Sequence, residues 1–236
     1  MAFINYAHRG ASEYAPENTM LAFYLGIYMG ANGIETDVQL TRDGVAVLFH
    51  DDTLERVTGE QGSISDYTYD QLQSFFVRNK GLADKIPKLT DFLDHFAFRD
   101  ITFAIELKQA GTAKVVADIL RTYGITHKVV VTSFKLDELR VMRQYAPEFE
   151  TGHLTSNITD ELLQEMRTLG ITEICPKAAN VTGALVKQWH EMGFRVRAWG
   201  AFDPALMEEA WKAGVDGMTV NFPDVLHRYI QEGENQ

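Results

Sequence analysis

Eight short, β-branched runs alternate with longer amphipathic segments along the whole chain. The strand candidates span residues 3–8, 33–38, 102–108, 128–134, 149–154, 172–177, 194–199 and 217–221. The helix candidates span residues 18–31, 88–97, 112–123, 136–145, 159–169, 181–192, 204–213 and 223–232. Strict alternation of this kind predicts a parallel sheet covered by helices, and eight repeats predict closure into a TIM (β/α)8 barrel. A length of 236 residues suits one such barrel, so a single domain is expected over residues 1–236.

One segment interrupts the alternation. About fifty residues separate the second strand from the helix near residue 88, which is long for a loop inside a compact domain. The segment contains an alternating apolar run over 44–49 and a turn-rich stretch over 58–66. We expect a hairpin followed by a small cap insertion over about 52–86. It should lie at the end of the barrel where strand-to-helix loops emerge, which is the active-site end of such folds.

Composition excludes several classes of protein. Lys and Arg total 22 against 33 Asp and Glu, for a net charge of -11, so the chain lacks the basic surface that nucleic acid or an anionic membrane requires. No apolar run approaches the ~20 residues of a membrane helix, so no stable membrane association is expected. A single cysteine, Cys175, excludes an intramolecular disulfide and is expected to be an inert core thiol. Residues 1–9 do not resemble a signal peptide, which predicts a cytoplasmic location.

Acidic side chains alternate with apolar ones in two of the predicted strands. Glu35 and Asp37 share one face of the second strand, and Glu106 and Lys108 share one face of the third. Their apolar neighbours occupy the opposite faces, which should pack against the helices. Neighbouring strands lie roughly 4.8 Å apart. We therefore expect the three carboxylates to converge inside the barrel, at its C-terminal rim.

Buried carboxylates so close together need a positive charge between them. An all-oxygen ligand set suits a hard divalent cation, Mg²⁺ or Ca²⁺, better than zinc or copper. In a second interpretation, Lys108, Arg9 or Lys177 neutralises the acids as a purely structural ion network. The residue types alone leave both interpretations open.

Two histidines fall where they can reach the same rim. His8 ends the first strand, and His50 with its neighbour Asp51 ends the alternating run after the second. Two imidazoles can divide the roles of general base and general acid near neutral pH, although the sequence does not say which does which. The remaining histidines are expected to be structural or surface residues: His95, His127, His153, His190 and His227.

The positive charges beside these groups point to an anionic substrate. Arg9 follows His8, and an arginine presents a fork of donors that matches a phosphate; Lys108 adds a second cation. Trp199 and Phe134 end strands and are candidates for a pocket wall. The sequence lacks a P-loop, a Gly-x-Gly-x-x-Gly and a Gly-x-Ser-x-Gly motif. The combination indicates metal-assisted transfer at an anionic phosphorus centre.

An ordered set of motifs resembles the glycerophosphodiester phosphodiesterases. It comprises His8-Arg9-Gly10, Pro16-Glu17-Asn18-Thr19, Glu35-Thr36-Asp37, Thr41-Arg42-Asp43-Gly44, His50-Asp51 and Glu106-Leu107-Lys108. Weaker agreement in Ile86–Leu89, Ser133–Phe134 and Gly214–Gly217 extends the resemblance nearly end to end. It implies a TIM barrel that hydrolyses glycerophosphodiesters to sn-glycerol 3-phosphate and an alcohol, with one Mg²⁺ or Ca²⁺.

The resemblance also implies residue roles. Glu35, Asp37 and Glu106 would hold the metal, His8 and His50 would be the acid and base, and Arg9 and Lys108 would hold the phosphate. Trp199 is expected to contact the substrate, a small glycerophosphodiester such as glycerophosphocholine or glycerophosphoethanolamine. Glu17, Asn18 and Thr19 are expected to brace the loop after the first strand and to start its helix. The segment 52–86 would cap the pocket.

Two segments depart from the family pattern. Where relatives often carry Thr-Asp-x-Pro after the last strand, this chain has Val220-Asn221-Phe222-Pro223, which removes one acid near the rim. After Trp199 this chain has Gly200-Ala201-Phe202, where relatives often show Thr-Val-Asn. Both departures bear on substrate preference. Two alternative functions remain, a lysophospholipase D activity on a related barrel and a non-catalytic barrel that binds a phosphorylated ligand.

Overall fold

The structure, a computed structural model, describes residues 3–234 and contains a closed barrel of parallel strands surrounded by helices. Its strands are β1 (Ile4–His8), β2 (Gly33–Leu40), β3 (Ala46–Leu48), β4 (Val77–Asn79), β5 (Leu82–Asp84), β6 (Thr102–Leu107), β7 (Val129–Ser133), β8 (Glu150–Thr155), β9 (Glu173–Pro176), β10 (Arg195–Ala198) and β11 (Gly217–Val220). All except β3, β4 and β5 form the barrel. These eight strands match the eight predicted ones.

The barrel closes because β1 pairs in parallel with both β2 and β11. Ile4 lies opposite Gly217 on one side, and His8 lies opposite Glu35 on the other. The predicted TIM-barrel class is therefore confirmed. The predicted limits of the single domain, residues 1 and 236, lie outside the described residues. Residues 1 and 2 of the segment 1–9, which bears on the predicted location, lie outside them as well.

Each barrel strand is followed by a helix. The helices are α1 (Met20–Tyr28), α2 (Glu55–Thr58), α3 (Tyr69–Leu72), α4 (Leu89–Phe96), α5 (Thr112–Tyr123), α6 (Leu136–Tyr145), α7 (Asp160–Leu169), α8 (Gly183–Glu191), α9 (Pro204–Lys212) and α10 (Pro223–Glu234). The eight longer ones match the predicted helices. Side-chain caps define several starts: Thr19 Oγ1 accepts from the Ala22 amide at 3.3 Å, which contributes about 1 kcal/mol. Within residues 3–234, none of the helices is long and apolar enough to cross a membrane.

The main core lies between the barrel wall and the helices. Ile34, Phe103 and Ile105 point outwards from β2 and β6 and are fully buried. They pack in one cluster with Phe92 and Phe96 of α4. Because side chains alternate along a strand, this outward apolar face turns the intervening acidic residues into the barrel. Packing of the helices therefore fixes which side chains the barrel interior receives.

The segment between β2 and α4 begins as the predicted hairpin. β3 pairs antiparallel with the end of β2, with Val38 opposite Leu48. The chain from residue 52 to 86, here called the excursion, then forms α2, α3 and the two-stranded β4–β5 sheet. It buries a small core of its own around Leu54, Ile64 and Leu72, which continues into β3 through Val47.

Gly10 is required by the turn that follows β1. Its φ is +77°, and a Cβ atom there would lie 2.4 Å from the backbone carbon of Ala22 in α1. We expect Gly10→Ala to lower the free energy of unfolding by about 3 kcal/mol or more, since left-handed strain adds to overpacking. Gly44→Ala is the matched control, because Gly44 has φ +78° and no heavy atom within 4 Å of an added Cβ. Urea denaturation measures both; equal losses would show that α1 shifts to make room.

Candidate active site

One cavity at the C-terminal ends of the barrel strands collects most of the predicted site residues. Its lining includes the following side chains: His8, Arg9, Glu35, His50, Glu106, Phe134, Leu154, Arg197, Trp199, Phe202 and Thr219. Asp37 and Lys108 complete the predicted set, because Lys108 Nζ lies 2.9 Å from Glu106 Oε1 and 3.7 Å from Asp37 Oδ1. The structure thus brings together all eight residues that the sequence singled out.

The three acidic residues form one buried cluster. Strand pairing places Asp37 of β2 directly opposite Glu106 of β6, with Glu35 two residues earlier on the same face. Carboxylate oxygens of the three residues all lie within 4.8 Å of one another. Asn18 fixes the Asp37 carboxylate, because its Nδ2 donates to Asp37 Oδ2 at 2.9 Å and its Oδ1 accepts from Thr36 Oγ1 at 2.7 Å.

Burial and mutual repulsion set the protonation of this cluster. Burial, together with the charges of Asp37 and Glu106, raises the pKa of Glu35 well above its ordinary value. Burial and the charge of Asp37 likewise raise the pKa of Glu106 to about 7. For Asp37, burial raises the pKa, but the charges of Arg9, His50 and Lys108 outweigh it and bring the pKa below its ordinary value. Asp37 is therefore the carboxylate that stays ionised.

The cluster has room for one more positive charge. Asp37 Oδ1 is buried and has no hydrogen-bond partner among residues 3–234. Of the three cations proposed for a structural network, Lys108 and Arg9 contact the cluster, whereas the described ion pairs do not join Lys177 to it. When all three carboxylates are ionised, as they would be around a metal ion, their charge exceeds that of these two cations. The residues therefore fit a hard divalent cation, which takes oxygen ligands.

Arg9 adopts a backbone conformation that is uncommon for an arginine. Its φ is +55°, in the left-handed region, and its amide donates to the backbone oxygen of Glu35 at 2.9 Å and to Glu35 Oε2 at 3.1 Å. The guanidinium pairs with Glu17 at 2.8 Å and lies 3.4 Å from Asp37 Oδ2. Its buried Nε has no hydrogen-bond partner within the described part of the chain. This conformation keeps an unused donor beside the carboxylate cluster, where it can meet an anionic ligand.

His8 is held by an amide. Its Nδ1 lies 2.5 Å from Asn221 Oδ1, and its Nε2 lies 3.9 Å from Glu35 Oε2. Because an amide oxygen only accepts, Nδ1 carries the proton and Nε2 presents a lone pair to the cavity. Burial and the charge of Arg9 lower the pKa of His8 to about 3. The ring is therefore neutral near pH 7.

His50 is held by a carboxylate instead. Its Nδ1 donates to Asp51 Oδ1 at 2.8 Å. The Asp51 carboxylate places a negative charge next to His50, whereas the Asn221 amide places none next to His8. Asp51 in turn accepts two hydrogen bonds from Arg56, a residue of α2. The two histidines of the cavity thus stand in different electrostatic surroundings.

An aromatic wall closes one side of the cavity. The rings of Phe134 and Trp199 meet edge to face, with centroids 5.1 Å apart. Trp199 Nε1 donates to the Cys175 carbonyl at 3.0 Å, which fixes the indole. Phe134 and Phe202 are 45% and 62% exposed, respectively, so two apolar side chains stand open at the mouth of the cavity.

Sequence reasoning missed the work of three polar residues. Asn18 was predicted only to brace a loop, yet it hydrogen-bonds Asp37. The family pattern marks Asn221 as a substrate-preference position, whereas the structure shows it holding His8. Arg197, buried inside the barrel, donates to Glu173 and Thr219 and forms part of the cavity floor. Its signal was an arginine at an inward position of a short apolar strand.

A closed (β/α)8 barrel whose C-terminal rim combines buried carboxylates, two imidazoles and an arginine has the groups that catalysis on a phosphate ester requires. The chain belongs to the glycerophosphoryl diester phosphodiesterase family, whose model matches residues 8–225. It is therefore a phosphodiesterase, and the non-catalytic alternative is set aside.

Individual proteins resemble the chain over most of its length. The chain is 34% identical over 230 residues to the uncharacterised protein YqiK of Bacillus subtilis, covering 93% of this chain and 95% of the relative. It is 31% identical over 233 residues to a glycerophosphodiester phosphodiesterase of Bacillus altitudinis, with 93% and 94% covered. A phosphodiesterase of Oleispira antarctica, solved with the product sn-glycerol 3-phosphate, shares the fold with a TM-score of 0.83 at 23% identity, covering 96% of each chain.

Proposed function

We propose that the enzyme hydrolyses small glycerophosphodiesters, such as glycerophosphocholine and glycerophosphoethanolamine, to sn-glycerol 3-phosphate and an alcohol. Glu35, Asp37 and Glu106 would hold one divalent cation, Mg²⁺ or Ca²⁺. The observation that carries the proposal is the buried cluster of these three carboxylates, with an unpartnered oxygen, in the same cavity as His8 and His50. The product that accompanies the Oleispira enzyme is the product we expect here.

We infer different roles for the two histidines from the groups that hold them. His8 Nε2, which bears a lone pair, takes the proton from the attacking hydroxyl, either of water or of the glycerol C2 position. The oxygen attacks phosphorus, and the bond from phosphorus to the alcohol oxygen breaks. His50, held by Asp51, acts as the acid and gives a proton to the departing oxygen. If the glycerol hydroxyl attacks, a cyclic phosphate forms, and water opens it with the two histidine roles reversed.

Anion recognition falls to the remaining residues. Arg9 Nε and the Lys108 ammonium face the carboxylate cluster and can donate to phosphate oxygens. Neutralisation of the diester charge is the chemistry that a bound divalent cation supplies. Trp199 presents a fixed ring to the substrate.

The test of this proposal is release of sn-glycerol 3-phosphate from glycerophosphocholine by the purified protein, with Mg²⁺ or Ca²⁺ and again with excess chelator. Release that the chelator abolishes supports both the reaction and the cation. Release that persists with chelator would overturn the metal assignment. The assay is repeated with glycerophosphoethanolamine. No release from either glycerophosphocholine or glycerophosphoethanolamine would overturn the proposed substrates.

Lysophospholipase D activity is the second candidate. The exposed Phe134 and Phe202 beside Trp199 favour it, because an apolar mouth can receive the first carbons of an acyl chain. Lysophosphatidylcholine belongs in the same assay, and turnover well above that of glycerophosphocholine would make it the preferred substrate.

The cytoplasmic location and the role of the excursion as a cap stay predictions.

Cation binding should depend on pH in a defined direction. Glu106, whose ordinary pKa is 4.5, has a pKa of about 7 in the fold, so the metal-free protein keeps a proton that the unfolded chain releases near pH 4.5. Its stability therefore falls as pH rises through that interval, and a cation must displace the proton at low pH. We expect Mg²⁺ or Ca²⁺ to raise the thermal midpoint more at about pH 8 than at about pH 5.5. Equal shifts would contradict a cation site on these carboxylates.

A further inference from the structure

Arg56 donates four side-chain hydrogen bonds to two acidic residues that border the active site. It belongs to α2, the first helix of the excursion, and its side chain is 51% exposed. On one side, its Nε and Nη2 donate to the two oxygens of Asp51 at 2.5 and 2.9 Å. On the other side, Nη1 and Nη2 donate to the two oxygens of Glu17 at 2.8 and 2.7 Å. One guanidinium therefore holds two carboxylates, each through both oxygens.

Those two carboxylates hold two different parts of the active site. Asp51 accepts from His50 Nδ1 at 2.8 Å. Glu17 accepts from Arg9 Nη1 at 2.8 Å. Arg56 thus stands at the centre of one polar chain that runs from the proposed acid, through the excursion, to the proposed phosphate ligand.

The arrangement needs a planar cation in the position of Arg56. Glu17, His50 and Asp51 bring ligand atoms within 4.8 Å of one another, which leaves two acidic side chains close together and only partly exposed. Burial raises the pKa of Glu17, but hydrogen bonds from Arg56 and the charge of Arg9 outweigh it and keep the pKa below its ordinary value. A guanidinium neutralises both acids and fixes the plane of each carboxylate, which a lysine ammonium cannot do.

We propose that Arg56 is a positioning residue that aligns His50 and Arg9 together, so that the excursion sets the geometry of acid catalysis and of phosphate binding. The inference rests on the proposed function. It predicts separate effects on kcat and KM. One arm of the hydrogen-bonded chain runs from Arg56 through Asp51 to the proposed acid, His50, and the other runs through Glu17 to the proposed phosphate ligand, Arg9.

The test compares Arg56→Gln with variants of each arm, assayed on glycerophosphocholine. We expect Arg56→Gln to lower kcat about 10- to 100-fold and to raise KM. Asp51→Asn should reproduce mainly the loss of kcat, and Glu17→Gln mainly the rise in KM. Adding Arg56→Gln to Asp51→Asn should lower kcat less than about twofold further, because residues of one network are not additive.

Arg42→Gln is the matched control. Arg42 also ties the excursion to the barrel, through Asp66 and Gln71, but in the described structure it hydrogen-bonds neither Asp51 nor Glu17. It should keep kcat and KM within about twofold of the parent values, with a thermal midpoint similar to that of Arg56→Gln. Equal kinetic effects of the two substitutions, or unchanged kinetics in Arg56→Gln, would overturn the proposal.

A second readout needs no substrate. The imidazole ¹⁵N resonances of His50 should shift in Arg56→Gln and stay unchanged in Arg42→Gln, because only the former releases Asp51. An inactive parent protein would refute the proposed function, but the His50 resonances would still test whether Arg56 positions His50. Unshifted His50 resonances in Arg56→Gln would overturn the inference.

Discussion

Alanine in place of either cavity histidine is expected to lower kcat for glycerophosphodiester hydrolysis by about 10²–10⁴-fold. His8→Ala removes the imidazole whose Nε2 lies near Glu35, and His50→Ala removes the imidazole that Asp51 holds. KM should change much less, because Arg9, Lys108 and the carboxylate cluster remain. Steady-state release of sn-glycerol 3-phosphate, with the cation saturating, measures both constants.

His190→Ala is the control for this pair. His190 Nε2 lies 2.8 Å from Asp216 Oδ2, the same length as the contact between His50 and Asp51, but it stands outside the cavity, with Asp216 just before β11. Its removal should leave kcat within about twofold of the parent value, as for a surface substitution away from the site. Near-normal turnover in His8→Ala would refute the two-histidine scheme.

Asp37→Asn is expected to have a comparable effect through the cation. Asp37 is the carboxylate of the cluster that stays ionised, and its Oδ1 is the unpartnered atom. The amide keeps the size of the side chain but removes the charge that offsets a divalent ion. We expect kcat/KM to fall about 10³-fold, since transition-state stabilisation of several kcal/mol is lost. The rise in thermal midpoint on adding Mg²⁺ or Ca²⁺ should disappear as well.

Glu138→Gln is the control for Asp37→Asn, because it also removes the charge of a buried acid but lies outside the carboxylate cluster. Glu138 is 6% exposed and accepts hydrogen bonds from the Gly111 and Ala113 amides and the Thr112 hydroxyl at the start of α5. Its substitution should lower thermal stability and leave the cation-induced shift intact. A full cation-induced shift in Asp37→Asn would place the cation elsewhere.

The periodic part of the molecule was readable from the sequence. Strand and helix alternation predicted all eight barrel strands, and the spacing of Glu35 and Asp37 placed both acids inside the barrel, with Asp37 opposite Glu106. These features follow from backbone geometry and from an apolar outer face, and both are local in sequence. Burial of Phe103 and Ile105 on that outer face confirms the reasoning.

The contacts that organise His8 and Arg9 could not be predicted in the same way. Asn221 meets His8 from 213 residues away, and Arg56 meets Glu17 from 39 residues away. Both contacts depend on how far a side chain reaches after the barrel has closed and the excursion has folded. Periodicity carries no information about that reach, so these residues had no local pattern to mark them.

Closure of the barrel between β1 and β11 also has a consequence for biosynthesis. His8, Arg9, the three carboxylates and His50 all leave the ribosome before residue 110, whereas Asn221 and the last barrel strand follow more than a hundred residues later. A nascent chain can therefore carry every proposed reactive group and still lack the partner that sets the His8 tautomer. Hydrolytic competence is in this sense a late event of synthesis, gained only when the two ends of the barrel meet.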